Sequence, residues 1–207
     1  MARWSRTVAT QEELALLYGS VAPASLHKEV PAIAPCYRAL IEASPFCVLA
    51  TSGPGGLDAS PRGDAPGFVV VEDERTLLLP DRRGNNRLDS LHNIVSDPRV
   101  ALLFLIPGRG ETLRVNGRAE IVLDAALLAR FAVQGKAPAC VLAVTVESVF
   151  FQCARALLRS RLWDPEAIAR DRALPSAGQM LAALAEGGFD GDAYDLALPA
   201  RQRSTLY

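Results

Sequence analysis

The sequence predicts a mainly β chain with flanking helices (α+β), an antiparallel barrel of six or seven strands. Three observations lead there. Short β-rich runs fill the middle of the chain, with turn residues about every 8–12 positions. These runs follow one another directly instead of alternating with long helices, which favours a barrel over a doubly wound sheet. Helical patterns lie at both ends. The expected organisation is a helical segment over 1–45, a barrel domain over 46–163 and a helical tail over 164–207.

Thr10-Gln11-Glu12-Glu13 is a capping box ahead of Leu14, Leu16, Leu17 and Tyr18, so a helix starts at Thr10. A second helix is expected from Cys36 to Ala43, delayed by Pro31 and Pro35 and closed by Ser44-Pro45. Strands are expected over FCVLAT (46–51), GFVVVED (67–73) and TLLLPD (76–81), with a Gly/Pro turn and the polar DASPRGD between the first two. Leu88, Leu91 and Val95 share one face of a helix that Asp97-Pro98 stops. RVALLFLIP (99–107) and TLRVNGRAEIVLD (112–124) are strands, and Gly117 invites a bulge in the second. AALLARFAV is a short helix, ACVLAVTVESVFFQC (139–153) the last long strand, and ARALLRSRLW a helix. The tail is helical in parts, broken at Pro175 and at Gly187-Gly188.

The chain has 207 residues, 22 Lys+Arg against 23 Asp+Glu and a net charge of −1. One domain with a small appendage fits that length, and folding should bury about 70% of the chain's surface. Neutrality argues against a polyanion-binding face, so no nucleic-acid partner is expected. MARWSRTVATQEEL lacks the apolar core of a leader, and no run reaches the roughly 18 apolar residues of a membrane span. The expected location is the cytoplasm. Cys36, Cys47, Cys140 and Cys153 are widely spaced, without a CxxC, and are expected to be buried free thiols.

Chemistry concentrates in Ser60-Pro61-Arg62-Gly63-Asp64 and in Pro80-Asp81-Arg82-Arg83-Gly84-Asn85-Asn86-Arg87. Four arginines and two asparagines flank a predicted hairpin, and the second segment runs into a helix start. Free amides there, the positive end of the helix dipole and forked guanidinium donors would suit a phosphomonoester. The same residues would also serve as a solvated turn with Asn86 as a helix cap. Arg62 weighs against that second reading, because it interrupts a segment that ought to pair as a strand.

Other candidates are weaker. Gly108-Arg109-Gly110 is a hairpin turn, without the third glycine of a dinucleotide fingerprint. Asp190, Asp192 and Asp195 imitate a calcium loop, but Arg201 stands where a bidentate Glu is required. His27 and His92 are too isolated for a metal site, and no metal is expected. Ser52 and Ser60 lack the elbow of a triad hydrolase. Arg159-Ser160-Arg161-Leu162-Trp163 could cover a planar ligand or pack on the barrel.

The combination of SPRGD, LPD-x-x-GNNR, Asp97-Pro98, FLIPG and ETLRVNG resembles the pyridoxamine 5'-phosphate oxidase-like flavoproteins over about residues 10–165. It is most similar to a bacterial branch of FMN-dependent enzymes of unknown substrate. The resemblance implies a split β-barrel of the FMN-binding type and a homodimer with FMN at the subunit interface. By position it places Ser60, Arg62 and Gly63 along the ribityl phosphate or flavin edge, and Pro80 and Asp81 along the ring. Gly84, Asn85, Asn86 and Arg87 would cradle the phosphate. Thr112 takes the place of a glutamine that touches the ring in the oxidases, and Arg159 and Trp163 would come from the partner subunit.

Departures from the oxidases also matter. Gly-Asn-Asn-Arg replaces their Ser-Arg-Lys, Arg62 has no following Lys, and their carboxy-terminal substrate grip has no counterpart here. Gln152-Cys153 stands where close relatives have His-Cys. These differences disfavour pyridoxamine phosphate oxidation and retain FMN binding. The implied function is an FMN-dependent oxidoreductase whose small-molecule substrate and electron donor are unknown, with catalytic residues unassigned. The alternative is a non-catalytic protein of the same fold that binds or stores flavin, haem or deazaflavin. Haem would need an axial ligand that the sequence does not offer.

Overall fold

The computed structural model describes residues 4–168 and 174–207. Three helices precede the sheet. In α1 (Gln11–Tyr18), Thr10 accepts from the Glu13 amide at 3.2 Å, and the Glu13 carboxylate accepts from Ala9, one residue before the cap, at 2.8 Å. α2 (Pro23–His27) and α3 (Pro35–Ala43) each open on proline, whose missing N–H has no helical partner to lose. α3 buries Tyr37 and Ile41, one turn apart.

The next elements are β1 (Phe46–Gly53), β2 (Gly56–Gly63), β3 (Val70–Val71), β4 (Thr76–Asp81), α4 (Asp89–Ser96), β5 (Arg99–Leu105), β6 (Thr112–Val122), α5 (Ala125–Arg130) and β7 (Cys140–Gln152). All seven strands form one antiparallel sheet in the order β2-β1-β5-β6-β7-β4-β3. The order does not close on itself, so the barrel is split between β2 and the β4–β3 end. Inward side chains of alternate residues make the core: Leu49 from β1, Leu77 and Leu79 from β4, Leu102 and Phe104 from β5, and Val144 from β7. Tyr37 and Ile41 of α3 and Ile94 of α4 complete it. A smaller cluster of Leu78, Phe131 and Val141 lies on the opposite sheet face, beneath α5.

Three expectations about strands change. Asp58–Gly63 of the polar DASPRGD segment is most of β2, which pairs with β1 along its full length. An edge strand tolerates Pro61 because only one neighbour needs its hydrogen bonds. GFVVVED keeps only Val70–Val71 as β3, since the chain turns at once and the Glu72 amide donates to Thr76 O at 3.0 Å. The bulge expected in β6 at Gly117 lies instead on the strand opposite: Asn116 pairs with Ser148 but Gly117 with Val146, so Glu147 of β7 is the extra residue. A Cβ at Gly117 would collide with the Thr145 carbonyl oxygen, which explains the glycine.

After β7 come α6 (Arg155–Ser160), α7 (Pro165–Ile168), α8 (Ala177–Leu184) and α9 (Gly191–Ser204). Gly187 and Gly188, both with positive φ, separate the last two. Asp190 caps α9 through the Ala193 amide, while Asp195 accepts from Ser176 Oγ and the Gly178 amide at the start of α8. Asp195 therefore ties the two helices together. No cluster of metal-ligating groups occurs among the described residues. Cys47 and Cys140 are buried, but Cys36 and Cys153 are exposed, against expectation, because one lies on the outer face of α3 and the other just past the end of β7. No helix among the described residues is long and apolar enough to cross a membrane.

Candidate functional site

Alternation along β2 directs Asp58, Ser60, Arg62 and Asp64 to one side and leaves Ala59, Pro61 and Gly63 more exposed on the other. On β4 the inward row of Leu77 and Leu79 ends in Asp81. The two polar rows meet across the split. Arg62 Nη1 lies 3.2 Å from Asp81 Oδ1, and just beyond the strand ends Arg82 Nε donates to Asp64 Oδ2 at 2.8 Å. The second arginine also donates to the Phe131 carbonyl at 2.6 Å.

The chain from Arg82 to Leu88 then crosses from β4 to α4, which is fixed over β1 and β2. Ser90 Oγ donates to Asp58 at 2.5 Å and Asn93 donates to Thr51 at 3.1 Å. Under this loop is a cavity of about 560 Å³. Ser60, Arg62, Asp81, Gly84, Asn85, Asn86 and Arg87 all line it. Arg82 and Arg83 of the same motif line it too, as do Asp58, Ser90, Leu91, Ile121, Leu123 and Cys140, which were not assigned to a site from sequence. The arginines lay inside the quoted motif; the others carry no local signal, because the fold alone brings them in.

Gly63 and Pro80 are not in the lining: Gly63 is the last residue of β2, and Pro80 is buried on the face of β4 opposite Asp81. Thr112, Arg159 and Trp163 lie elsewhere on the chain. Trp163 donates its indole N–H to the Arg109 carbonyl at 2.7 Å, which anchors it on the β5–β6 turn near buried Thr112. Arg159 is exposed on α6.

Four arginines face three aspartates around the cavity. Arg87 bonds Asp89 at 2.9 Å, in the open, and Arg83 has no ion-pair or hydrogen-bond partner among the described residues. Arg62 Nε is buried and has no hydrogen-bond partner. An orphaned buried donor on a concave wall calls for an acceptor. At the other end, α4 begins at Leu88, which is left-handed at φ 61° and provides no side-chain cap. Asn86, also left-handed, does not cap the helix, and Asn85 Oδ1 accepts from the Arg87 amide instead. α4 therefore starts beside the loop without a side-chain cap, which suits an anion.

Burial raises the Asp81 carboxyl above its ordinary value despite the nearby Arg62 guanidinium. Burial likewise pushes the Cys140 thiol to about 11, so it is an inert wall and not a nucleophile. The donors present fit a flavin that carries a phosphate ester. Arg83, Arg87 and the α4 amides offer partners for a dianionic ester, Arg62 Nε a donor for a ring acceptor, and Leu91, Ile121 and Leu123 apolar contact.

Among solved structures, the chain is similar to HupZ of Group A Streptococcus at 19% identity, covering 58% of this chain and 94% of that one with a TM-score of 0.48. It is similar to General Stress Protein 26 of Bacillus anthracis at 18% identity, over 55% and 88% of the two chains, TM-score 0.41. An FMN-binding protein of Syntrophomonas wolfei aligns at 12% identity over 55% and 82%, TM-score 0.43. No curated protein sequence matches the chain. The profile of the pyridoxamine 5'-phosphate oxidase family matches residues 33–153, from before α3 to the end of β7. That match spans more than half of the sequence and includes both walls of the cavity, so the chain belongs to the pyridoxamine 5'-phosphate oxidase family.

Proposed function

We propose that the cavity holds FMN and that the protein is an FMN-dependent oxidoreductase acting as a cytoplasmic homodimer. The observation that carries the reading is the orphaned Nε of Arg62, a side chain that lines a cavity whose other end is a helix start without a side-chain cap. Arg83 and Arg87, with the amides opening α4, bind the ester phosphate. Arg62 donates to the ring edge while Asp81 holds its guanidinium in place. When bound, a flavin carries hydride or electrons between two small molecules. The loop 82–88 covers one side of the cavity and limits water there.

A second copy supplies the remaining wall. The single chain exposes 14,002 Å², against about 9,400 Å² for a compact monomer of 22.2 kDa. Leu16, Leu17 and Tyr18 on α1 and Leu184 on α8 are among the apolar side chains left uncovered. Arg159 and Trp163, remote from this chain's own cavity, are the residues proposed to reach the partner's flavin.

The test is purification followed by absorption spectroscopy. Bands near about 370 and 450 nm are expected for oxidised flavin. Bleaching by NADH or NADPH without oxygen, and recovery with an electron acceptor, establishes oxidoreductase activity. Bound flavin that neither nucleotide reduces points instead to storage. A colourless protein that does not bind added FMN overturns the assignment.

A further inference from the structure

The helical pair α8–α9 packs on itself, with Gly178 against Gly191. Among the described residues, the hydrogen bonds and ring contacts that tie 174–207 to the barrel converge on one side chain and its backbone. Tyr207 donates its hydroxyl to Asp64 Oδ1 at 2.6 Å. Its ring lies under the Arg82 guanidinium, 5.6 Å from centroid to Cζ, and its main-chain oxygen accepts from Lys136 Nζ at 2.8 Å. Asp64 and Arg82 form the outer of the two ion pairs across the barrel split, and Arg82 opens the loop over the cavity.

We propose that Tyr207 is a positioning residue of the cofactor cavity, acting through Asp64 and Arg82, so that docking of α8–α9 and binding of flavin strengthen each other. This rests on the flavin reading. With Tyr207 seated, Asp64 is held by the tyrosine hydroxyl, by Arg82 and by the Ala65 amide, so its carboxylate cannot turn away from the arginine. Arg82 in turn is stacked on the ring and bonded to Phe131 O. The first residue of the loop is then fixed on three sides, and less ordering remains for the flavin to impose. Coupling of this kind is reciprocal, so flavin must stabilise the docked tail by the same factor.

The experiment compares the full chain with Tyr207→Phe, Tyr207→Ala and the control Tyr194→Phe, whose ring packs within the tail against Phe189 and Arg201. FMN affinity is read by quenching of flavin fluorescence, and tail docking by the rate of tryptic cleavage after Arg201 and Arg203, with and without FMN. Tyr207→Phe should weaken FMN about three- to tenfold, the worth of one hydrogen bond, and Tyr207→Ala more. Visible circular dichroism of the flavin at saturation should change in both variants. FMN should slow cleavage in the parent protein and in Tyr194→Phe, and less in the Tyr207 variants. Equal affinity, equal dichroism and equal protection across all four proteins overturn the coupling while leaving the flavin reading intact. Failure of the parent protein to bind FMN overturns both.

Discussion

Arg62 of β2 and Asp81 of β4 meet at 3.2 Å across the gap that keeps the sheet from closing. Their strands lie at opposite ends of the strand order, and the short β3 leaves the Asp81 end of β4 facing that gap. The neighbouring pair reverses the charges, with Asp64 after β2 and Arg82 after β4. Two ion pairs thus do in the split what backbone pairing does elsewhere, and they leave a cavity where a continuous ladder would leave none. Both Arg62 and Asp81 line that cavity, so the closure of the barrel and the proposed binding of an anion would share the same side chains.

Replacing Arg62 by Ala is therefore expected to act before any ligand is added. It strands Asp81, whose side chain is only 12% exposed, and should lower the stability of the flavin-free protein by about 2 kcal/mol. For a chain of this size that is roughly 4–8 °C in melting temperature. Replacing both partners with Met and Leu should lose less than the sum of the single changes, since neither partner is then left buried without its counter-ion. Thermal melts of the parent protein, Arg62→Ala, Arg62→Met, Asp81→Leu and the Met/Leu double variant check this, and strict additivity in the Met/Leu cycle would show that the pair is not coupled.

Arg87 should behave in the opposite way. Its bond to Asp89 is in the open, with the arginine side chain 75% exposed, so Arg87→Ala should change stability by under about 0.5 kcal/mol. If Arg87 binds the ester phosphate, FMN affinity should fall by about 1.5–3 kcal/mol, the range for a hydrogen bond to a charged group. A fluorescence titration beside a thermal melt separates the two effects. Unchanged affinity would move the phosphate away from this end of the loop.

These contrasts mark what the sequence conveys. Local signals read well: the Thr10 cap, the start of α3 after its prolines and the strands around Leu79 and Phe104 each depend on neighbours a few residues away, whereas α2 was not foreseen and the extra residue opposite Gly117 is on β7. β2 was less legible, because an edge strand can carry Pro61 and a polar row that would be excluded from the middle of a sheet. The pairing of Arg62 with Asp81 and the entry of Cys140 into the cavity wall depend on which strands face one another once the barrel curls. Tyr207 lies 143 residues from Asp64, so no spacing rule could have joined them. Arg83 stood inside the recognised motif, yet a solvated turn would contain the same residue.

Gly117→Ala tests whether the β7 irregularity is fixed by packing. The new methyl would press on the Thr145 carbonyl oxygen and on Val144. Backbone cannot yield as a flexible side-chain end can, so a loss of about 1–3 kcal/mol is expected, in the range for overpacked cores. Urea unfolding checks it, and a midpoint equal to that of the parent protein would mean that the strands part there without strain.

The Tyr207–Asp64 contact should also leave a signature in pH. Burial alone would raise the Asp64 carboxyl, but bonds from Tyr207, the Ala65 amide and Arg82 outweigh it and hold it below its ordinary value. A depressed acid contributes stability above its unfolded pKa, about 3.9, and loses it as pH falls through the lower, folded value. The Tyr207 phenol, donating to that carboxylate, is raised above its ordinary value. Its contribution is complete below about pH 10, its unfolded pKa, and disappears as pH rises through the folded one. The difference in melting temperature between the parent protein and Tyr207→Phe should therefore be flat from about pH 5 to 9, shrink on acidification below about 3.9 and shrink again above about 10. Phe removes the hydroxyl but keeps the ring on Arg82, so the two flanks report the hydrogen bond alone. A gap that ignores pH would mean that the ring, and not the bond to Asp64, holds the tail in place.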